Sequence, residues 1–482
     1  MLIIAVFLPV LAGALLPLWH LDQKARAWYV MAATALTSLC VWGAMLLGGD
    51  GKQTLFYITE RLPIAFRLDG FGRLYALIVS VLWPLCMLYA LEYMEGDGHQ
   101  PLFFSFYTMC YGVTLGIAGA SNLITLYLFY EMLTLVTLPL VMHGGSRASV
   151  RAGLEYLYYS IGGAALAFLG LVFVISVGGD TEFVYGGLSA LGDVSNAKLL
   201  RLGYLMCFFG FSVKAAVFPL HAWLPDASVA PTPVTALLHA VAVVKSGVFS
   251  VIRITWYVFG IAALKDSFAQ YIPLTLAVFT ITYGCLMALK EQNLKRRLAY
   301  STVSNLSYIL FGALLMTPEG LLGGLMHLLY HAMMKISLFL CAGIYLLKGR
   351  KQVRDLRGIA QAMPYTSGLF MLGALAMTGL PPLLGFASKW QLAEAAVHAN
   401  SLLGMLGVIS LIISATLTAF YLIVPGFSSY FTPGERAFKP GEMEGGWKAV
   451  APVALIACCM LVVSFLPGPV TAALRAVAQG LL

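Results

Sequence analysis

Charge is scarce in this chain. Only 10% of its 482 residues are Asp, Glu, Lys or Arg, against about 25% in an average soluble domain. So few charges cannot dress a water-facing surface, and with 60% apolar residues the solvent of this chain is lipid. Cysteine pairing is also missing. The eight cysteines, at 40, 86, 110, 207, 285, 341, 458 and 459, form no C-x-x-C and no spacing suited to zinc or an iron–sulfur cluster, so they read as apolar filler. No flavin, haem or cluster motif occurs, and the chain is expected to carry no cofactor and to perform no redox chemistry itself. The net charge of +8 does not signal nucleic acid, because the basic residues lie in loops between apolar runs. The first run, Leu2 to Trp19, lacks a basic stretch before it and a small-residue cleavage site after it, and so reads as a retained helix and not a signal peptide.

What the chain has in abundance is apolar runs of bilayer length. They fall near 2–19, 27–47, 71–91, 103–119, 121–142, 154–178, 199–222, 229–260, 271–289, 299–317, 321–347, 366–397, 402–424 and 449–467. The reading is an all-α membrane protein of fourteen spans in one membrane domain. The two spans of about thirty residues contain prolines and are expected to be long, broken or tilted. Loops after odd-numbered spans carry 16 Lys and Arg, including Lys295, Arg297 and Arg436, whereas the opposite loops carry 6, including Arg61. The excess marks the cytoplasmic side and places both termini outside.

Arg73, Arg253 and Arg475 lie near span ends, where snorkelling suffices. That leaves four basic residues of the 29: Lys214, Lys245, Lys335 and Lys389, each within an apolar span. A lysine at the bilayer centre costs about 3 kcal/mol and is normally retained for a pathway, relay or counter-ion. Lys214 precedes Pro219 by five residues, and Lys389 follows Gly379-Leu-Pro-Pro382. Proline removes a backbone donor and can break a helix at mid-membrane, as repeat-built transporters do at binding sites.

Glu131 stands alone in an otherwise apolar run, Leu123 to Leu133. It requires a cation or a proton, and Lys214 is its natural partner. Desolvation and a neighbouring carboxylate act on a lysine's proton in opposite directions, so moving the acid switches the base. The plain alternative is a static brace between two helices. His239 and Lys245 share the eighth span, where a histidine can pass protons near neutral pH or serve as a hydrogen-bonded structural residue. His327, His331 and Lys335 repeat at i, i+4 and i+8, one helical stripe rising about 12 Å, suited to a proton wire. The same His-x-x-x-His spacing could hold zinc, but no third ligand accompanies it. Lys389 could be the terminal donor toward the outside or a snorkelling lysine, with Glu394 able to neutralise it.

At these residues the chain resembles the antiporter-like subunit family shared by respiratory complex I, Mrp-type sodium/proton antiporters and membrane-bound energy-converting hydrogenases. The resemblance covers roughly residues 60 to 425. It rests on Phe218-Pro-Leu-His-Ala-Trp-Leu-Pro-Asp226, Ala230-Pro-Thr-Pro-Val-Thr-Ala-Leu-Leu-His239, Asn293-Leu-Lys-Arg-Arg-Leu-Ala-Tyr-Ser301-Thr-Val-Ser304, His327 to Lys335, and Gly379-Leu-Pro-Pro-Leu-Leu-Gly-Phe-Ala-Ser-Lys389. It implies fourteen helices with two inverted five-helix repeats, helices 4–8 (101–260) and 9–13 (261–425), preceded by helices 1–3 (1–100) and followed by a loop and helix 14 (426–482). Helices 7 and 12 would be broken. It further implies that Glu131 and Lys214 form a coupling pair, that Lys245 with His327, His331 and Lys335 continues a central hydrophilic axis, and that Lys389 ends it. Where relatives open helix 6 with a lysine, this chain has Glu155, a change expected to alter the local charge and able to alter the ion preference.

The leading expectation is an ion-pumping subunit, moving protons or both sodium and protons, within a redox-driven complex of a prokaryotic cytoplasmic membrane. Its expected partners are other membrane subunits, including sister antiporter-like ones, and iron–sulfur, hydrogenase or quinone-reducing peripheral subunits. Membership of a non-redox Mrp-type antiporter is the second expectation. An independent solute carrier is the third, and it would need a walled substrate pocket where the sequence offers a charged axis.

Overall fold

Lipid offers no partner to an open backbone, so apolar runs of this length close their own hydrogen bonds as helices. The computed structural model describes residues 1–47, 51–59, 62–178, 181–192, 196–433 and 439–481. The main helices in chain order are α1 (Leu2–Leu15), α2 (Gln23–Leu47), α3 (Gly70–Tyr93), α4 (Gln100–Ala118), α5 (Leu123–Met142), α6 (Arg147–Gly178), α7 (Ala197–Ser212), α8 (Thr232–Ala240) and α9 (Val243–Arg253). There follow α10 (Phe268–Lys290), α11 (Leu294–Leu314), α12 (Pro318–Leu347), α13 (Pro364–Thr378), α14 (Leu384–His398), α15 (Leu402–Thr418), α16 (Val424–Phe431), α17 (Trp447–Phe465) and α18 (Pro467–Ala478). Side-chain oxygens start several of them: Asp69 accepts from the Gly72 amide at 2.9 Å, Asn122 from Thr125 at 2.8 Å and Thr317 from Gly320 at 3.1 Å. Arg61 and Arg436, counted above with the loops, lie outside the described residues.

Among the described residues ten helical segments are long and apolar enough to cross a membrane. Four of the fourteen apolar runs are not among them, and each has a reason. The first helix is short. The helix α11 is polar, burying Ser301, Thr302, Ser304, Asn305 and Ser307. The runs 199–222 and 366–397 are interrupted. The helix α7 stops at Ser212, Ala216 takes a positive φ of 54°, and helical turns resume only at Trp223–Asp226. The helix α13 stops at Thr378, Gly379 turns left-handed at φ 89°, and α14 begins at Leu384.

A third interruption separates α8 from α9 at Val241 and Ala242. The prolines of that run do not make it: Pro231 and Pro233 open α8, where a missing N–H is harmless. Instead the Tyr75 hydroxyl of α3 donates to the carbonyls of Val241 and Ala242, 3.0 Å in each case. Two short π-helical stretches, Ile254–Phe259 and Ala419–Ile423, extend α9 and α15.

The all-α expectation needs one correction. The strand β1 (Gln53–Thr59) pairs antiparallel with β2 (Leu62–Phe66). The run Thr54-Leu-Phe-Tyr-Ile-Thr59 is β-branched and aromatic and too short to span, so it forms a hairpin between α2 and α3. A short helix also follows α17: α18 packs back against α12.

Candidate functional site

The core of the molecule is where its charge is hidden. Lys214 is fully buried, in the interruption after α7 and not on a regular helix. Its ammonium sits 3.5 Å above the ring centroid of Tyr130 and donates to the Tyr130 carbonyl, while the Tyr130 hydroxyl donates back to Phe211 at 3.2 Å. Glu131 is the next residue along α5. The two charges act on one another, yet no direct ion pair forms between them. The Glu131 Oε1 is buried without a hydrogen-bond partner among the described residues. The two neighbours interact without being locked together.

The helix α12 gathers the next groups. The Lys245 ammonium of α9 donates to the Leu328 carbonyl at 2.9 Å, between His327 and His331. His239 of α8 stacks on Phe339 at 4.9 Å between ring centroids, one turn beyond Lys335, whose ammonium donates to the Leu298 carbonyl at 3.0 Å. The His327 and His331 rings are 5.9 Å apart. His331 lies within electrostatic reach of Lys245, Lys335, His327 and His239. Both ring nitrogens of His239 and both of His331 are buried with no hydrogen-bond partner among the described residues, a costly state for imidazole unless water satisfies it. His327 is better served: Nδ1 meets the Ser388 hydroxyl at 3.0 Å and Nε2 the Asn305 Oδ1 at 3.1 Å. Between Lys214 and Lys245 the join is backbone packing. A Cβ on Gly247 would lie 2.3 Å from the Ala215 nitrogen and 2.5 Å from the Lys214 carbonyl carbon, so only glycine lets α9 cross the interruption of α7 this closely.

Lys389 lies one turn into α14 and reaches back across the interruption. Its ammonium donates to the carbonyls of Met377 at 2.7 Å and Thr378 at 2.9 Å. These are the last residues of α13, where unpaired carbonyls and the helix dipole favour a cation. Neutralisation by Glu394 does not occur. Five residues along a helix point to a different face, and the Glu394 side chain is exposed and outside every described ion pair. Glu155 is half-exposed. It lines an open cleft of about 560 Å³ with Arg147 and Arg151 and interacts with Asp226, which Arg296 holds at 2.8 Å.

Three basic residues sit elsewhere than the sequence suggests. Arg253 does not snorkel: it is 0% exposed, caged by the rings of Phe71, Phe183, Phe249 and Tyr257, and bound to Asp69 through two contacts of 2.5 Å. Burial opposes ionisation of Asp69, but the Arg253 guanidinium, helped by the Gly72 amide, holds its carboxyl below the usual carboxylate range. Lys295 and Arg297, read as loop charges, are buried. Lys295 donates to the Ala230 carbonyl at 2.6 Å and acts electrostatically on His239; Arg297 donates to Tyr421 at 3.0 Å and Glu291 at 2.8 Å. A charge at the first turn of a helix is ordinary in sequence, so nothing local distinguishes these from solvated loop residues. Asn305, by contrast, is visible as an amide within an apolar helix. Among the described residues no three His, Cys, Asp or Glu side chains converge on a metal-sized site.

Residues 120–414 match the family model described as NADH:quinone oxidoreductase/Mrp antiporter, transmembrane. NADH-quinone oxidoreductase subunit N of Desulforudis audaxviator is 32% identical over 410 residues, covering 84% of this chain and 79% of that protein. One component of the probable K(+)/H(+) antiporter of Rhizobium meliloti is 30% identical over 472 residues, covering 95% of this chain but 46% of that protein. In respiratory complex I from Thermus thermophilus with bound NADH, one chain superposes with a TM-score of 0.84 at 26% identity, over 100% of this chain and 98% of the other.

Proposed function

The chain belongs to the NADH:quinone oxidoreductase/Mrp antiporter transmembrane family, and from that premise we propose that it is an ion-translocating, antiporter-like subunit of a multisubunit membrane complex. One observation carries the mechanism: three buried lysines, the half-buried Lys389 and three buried histidines run through the interior as a file, and most of them are bound to backbone carbonyls or to no protein group among the described residues. A cation held by neutral carbonyls can give up its proton without leaving a carboxylate stranded. Lys214 takes up or releases a proton as Glu131 approaches or withdraws, and the charge change is passed through Lys245 and Lys335, His331 and His327 to Lys389. Each group changes the electrostatic cost of charging its neighbour, so a push at one end propagates along the file. His239 belongs to the same file, and Glu155, with Asp226 and Arg296, tunes the charge at the start of α6.

The mobile ion is the proton in this reading. The chain binds no cofactor of its own, and a redox partner carrying iron–sulfur, hydrogenase or quinone-reducing subunits drives it beside sister antiporter-like subunits. The fourteen-span count, the inverted repeats 101–260 and 261–425 and the external termini are part of the same proposal. Support comes from the two matched interruptions after Ser212 and Thr378 and from a π-helical stretch in the fifth span of each half. A second reading, membership of a non-redox cation/proton antiporter, is favoured by the likeness to the Rhizobium protein. Isolation of the assembled complex in mild detergent separates the two: iron–sulfur or nickel proteins in the complex support the first, and small membrane subunits alone support the second. The translocating role itself is tested by Lys214→Ala in the assembled complex, which is expected to abolish ion translocation with assembly intact. Full translocation by that variant refutes the role.

A further inference from the structure

We propose that a chain of hydroxyl groups joined through one thiol forms a proton-conducting side branch from the lysine–histidine file to the end of the bundle that holds the turn between α10 and α11. The proposal rests on the reading of the file as a proton path. The branch begins at Tyr308, whose ring lies 4.9 Å from that of His327 and 5.5 Å from the Lys389 ammonium. The Tyr308 hydroxyl donates to Ser414 at 2.7 Å. Ser414 meets Ser304 at 3.2 Å and the Cys285 thiol at 2.8 Å. Cys285 lies 3.8 Å from the Tyr421 hydroxyl and 3.9 Å from that of Thr418, Thr418 is itself 3.0 Å from the Tyr421 hydroxyl, and Tyr421 is 2.7 Å from Ser301. Every one of these side chains is buried.

The far end is marked by charge. Arg297, one turn before Ser301 on α11, donates to the Tyr421 carbonyl at 3.0 Å and to the Glu291 carbonyl in the α10–α11 turn at 2.8 Å. Asn305 braces the two ends of the branch, its Oδ1 meeting His327 beside the start at 3.1 Å and its Nδ2 donating to the carbonyl of Ser301 at the finish at 2.7 Å.

Hydroxyls in lipid-embedded helices usually return to their own backbone, as Thr114 does to Cys110 at 2.7 Å and Thr302 to Leu298 at 3.0 Å. Here Thr418 and Ser304 also bond backbone, the carbonyls of Ser414 and Ile281 at 2.7 Å each, but the groups reach across three helices to one another as well. Ser, Thr, Tyr and a thiol can each accept and donate, which is what a hopping proton needs. A proton arriving at one end is matched by one leaving the other, each group keeping its composition and reversing its hydrogen bond. A lysine file cannot do this alone, because an ammonium has no acceptor. A sodium ion has no such route through bonded hydroxyls, so the branch selects protons.

The test is infrared spectroscopy of the assembled complex transferred to D2O. The S–H stretch of Cys285 is identified by its loss in Cys285→Ser or Cys285→Ala. It is expected to convert to S–D within minutes, and at least tenfold more slowly in Tyr421→Phe, which keeps the ring and removes the hydroxyl on which Cys285 and Thr418 converge. Translocation is expected to fall several-fold in Cys285→Ala, and Cys285→Ser, which restores a donor and acceptor, to recover most of the loss. A band that persists for hours, exchange equally fast in Tyr421→Phe, or a Cys285→Ser variant no better than Cys285→Ala overturns the branch and leaves the network as interhelical glue. Exchange needs no turnover, so these outcomes do not bear on the file itself, which stands or falls on Lys214→Ala.

Discussion

Lys214 lies in one helix interruption and Lys389 reaches back across another, yet their charges are stabilised by different means. Lys214 has an acid one residue away from the carbonyl it binds, near enough to influence it and not bonded to it. Lys389 has no acid, and the two carbonyls that end α13 hold it instead. A carboxylate on a neighbouring helix can move, whereas the end of a helix cannot without unfolding it. In the proposed mechanism the first lysine is therefore the one switched from outside the file, and the second presents a fixed affinity where the file ends. The pair Arg253–Asp69 marks the contrasting case, an acid and a base locked by two short contacts and a ring of aromatics, suited to bracing.

The contrast breaks most decisively at Glu131. Both Glu131→Gln and Lys214→Ala should lower translocation by about a hundredfold or more, measured as ion uptake by proteoliposomes holding the assembled complex; near-normal uptake in either removes the switch. The locked pair should behave oppositely. Asp69→Asn strands a buried guanidinium and should cost about 3–5 kcal/mol of stability, read from unfolding in detergent. Because the Asp69 carboxyl titrates below its unfolded value of about 3.9, its contribution is complete above that pH and fades as pH falls through the lower folded value. Stability should thus differ between wild type and variant at pH 7 and converge in strong acid, and a gap that persists there contradicts the pairing. Lys389→Met should slow translocation by about tenfold, a smaller loss than at Lys214 because no switch is removed. His331→Ala should slow it several-fold, with a changed dependence between pH 6 and 8; identical profiles count against a relay. Glu394→Gln should change nothing, since that carboxylate points away, and any loss of rate restores it as a partner of Lys389.

The four lysines and three histidines are legible in the sequence because charge inside apolar runs is rare enough to stand out one residue at a time. The interruptions at Pro219 and Gly379 are legible through their backbone chemistry. A break in the span 229–260 is expected from its prolines, but its position at Val241 and Ala242 is not legible, because the freed carbonyls are met by a hydroxyl on α3, 166 residues away. Arg253, Lys295 and Arg297 are hidden for the opposite reason to the lysines: charges at helix ends are common, and only packing distinguishes a caged guanidinium from a solvated one. Glu394 misleads because closeness in sequence is not closeness on a helix face, and the hairpin 53–66 escapes notice because its runs are too short to span.

At the centre of this mechanism the lysines and histidines conduct as one hydrated path. Direct imaging of water in the assembled complex tests it, at a resolution that shows single molecules. Ordered water is expected at the ring nitrogens of His239 and His331, bridging Lys245 and Lys335 and continuing past His327 to Lys389. Dry apolar packing against those nitrogens, with no water between successive groups, contradicts it.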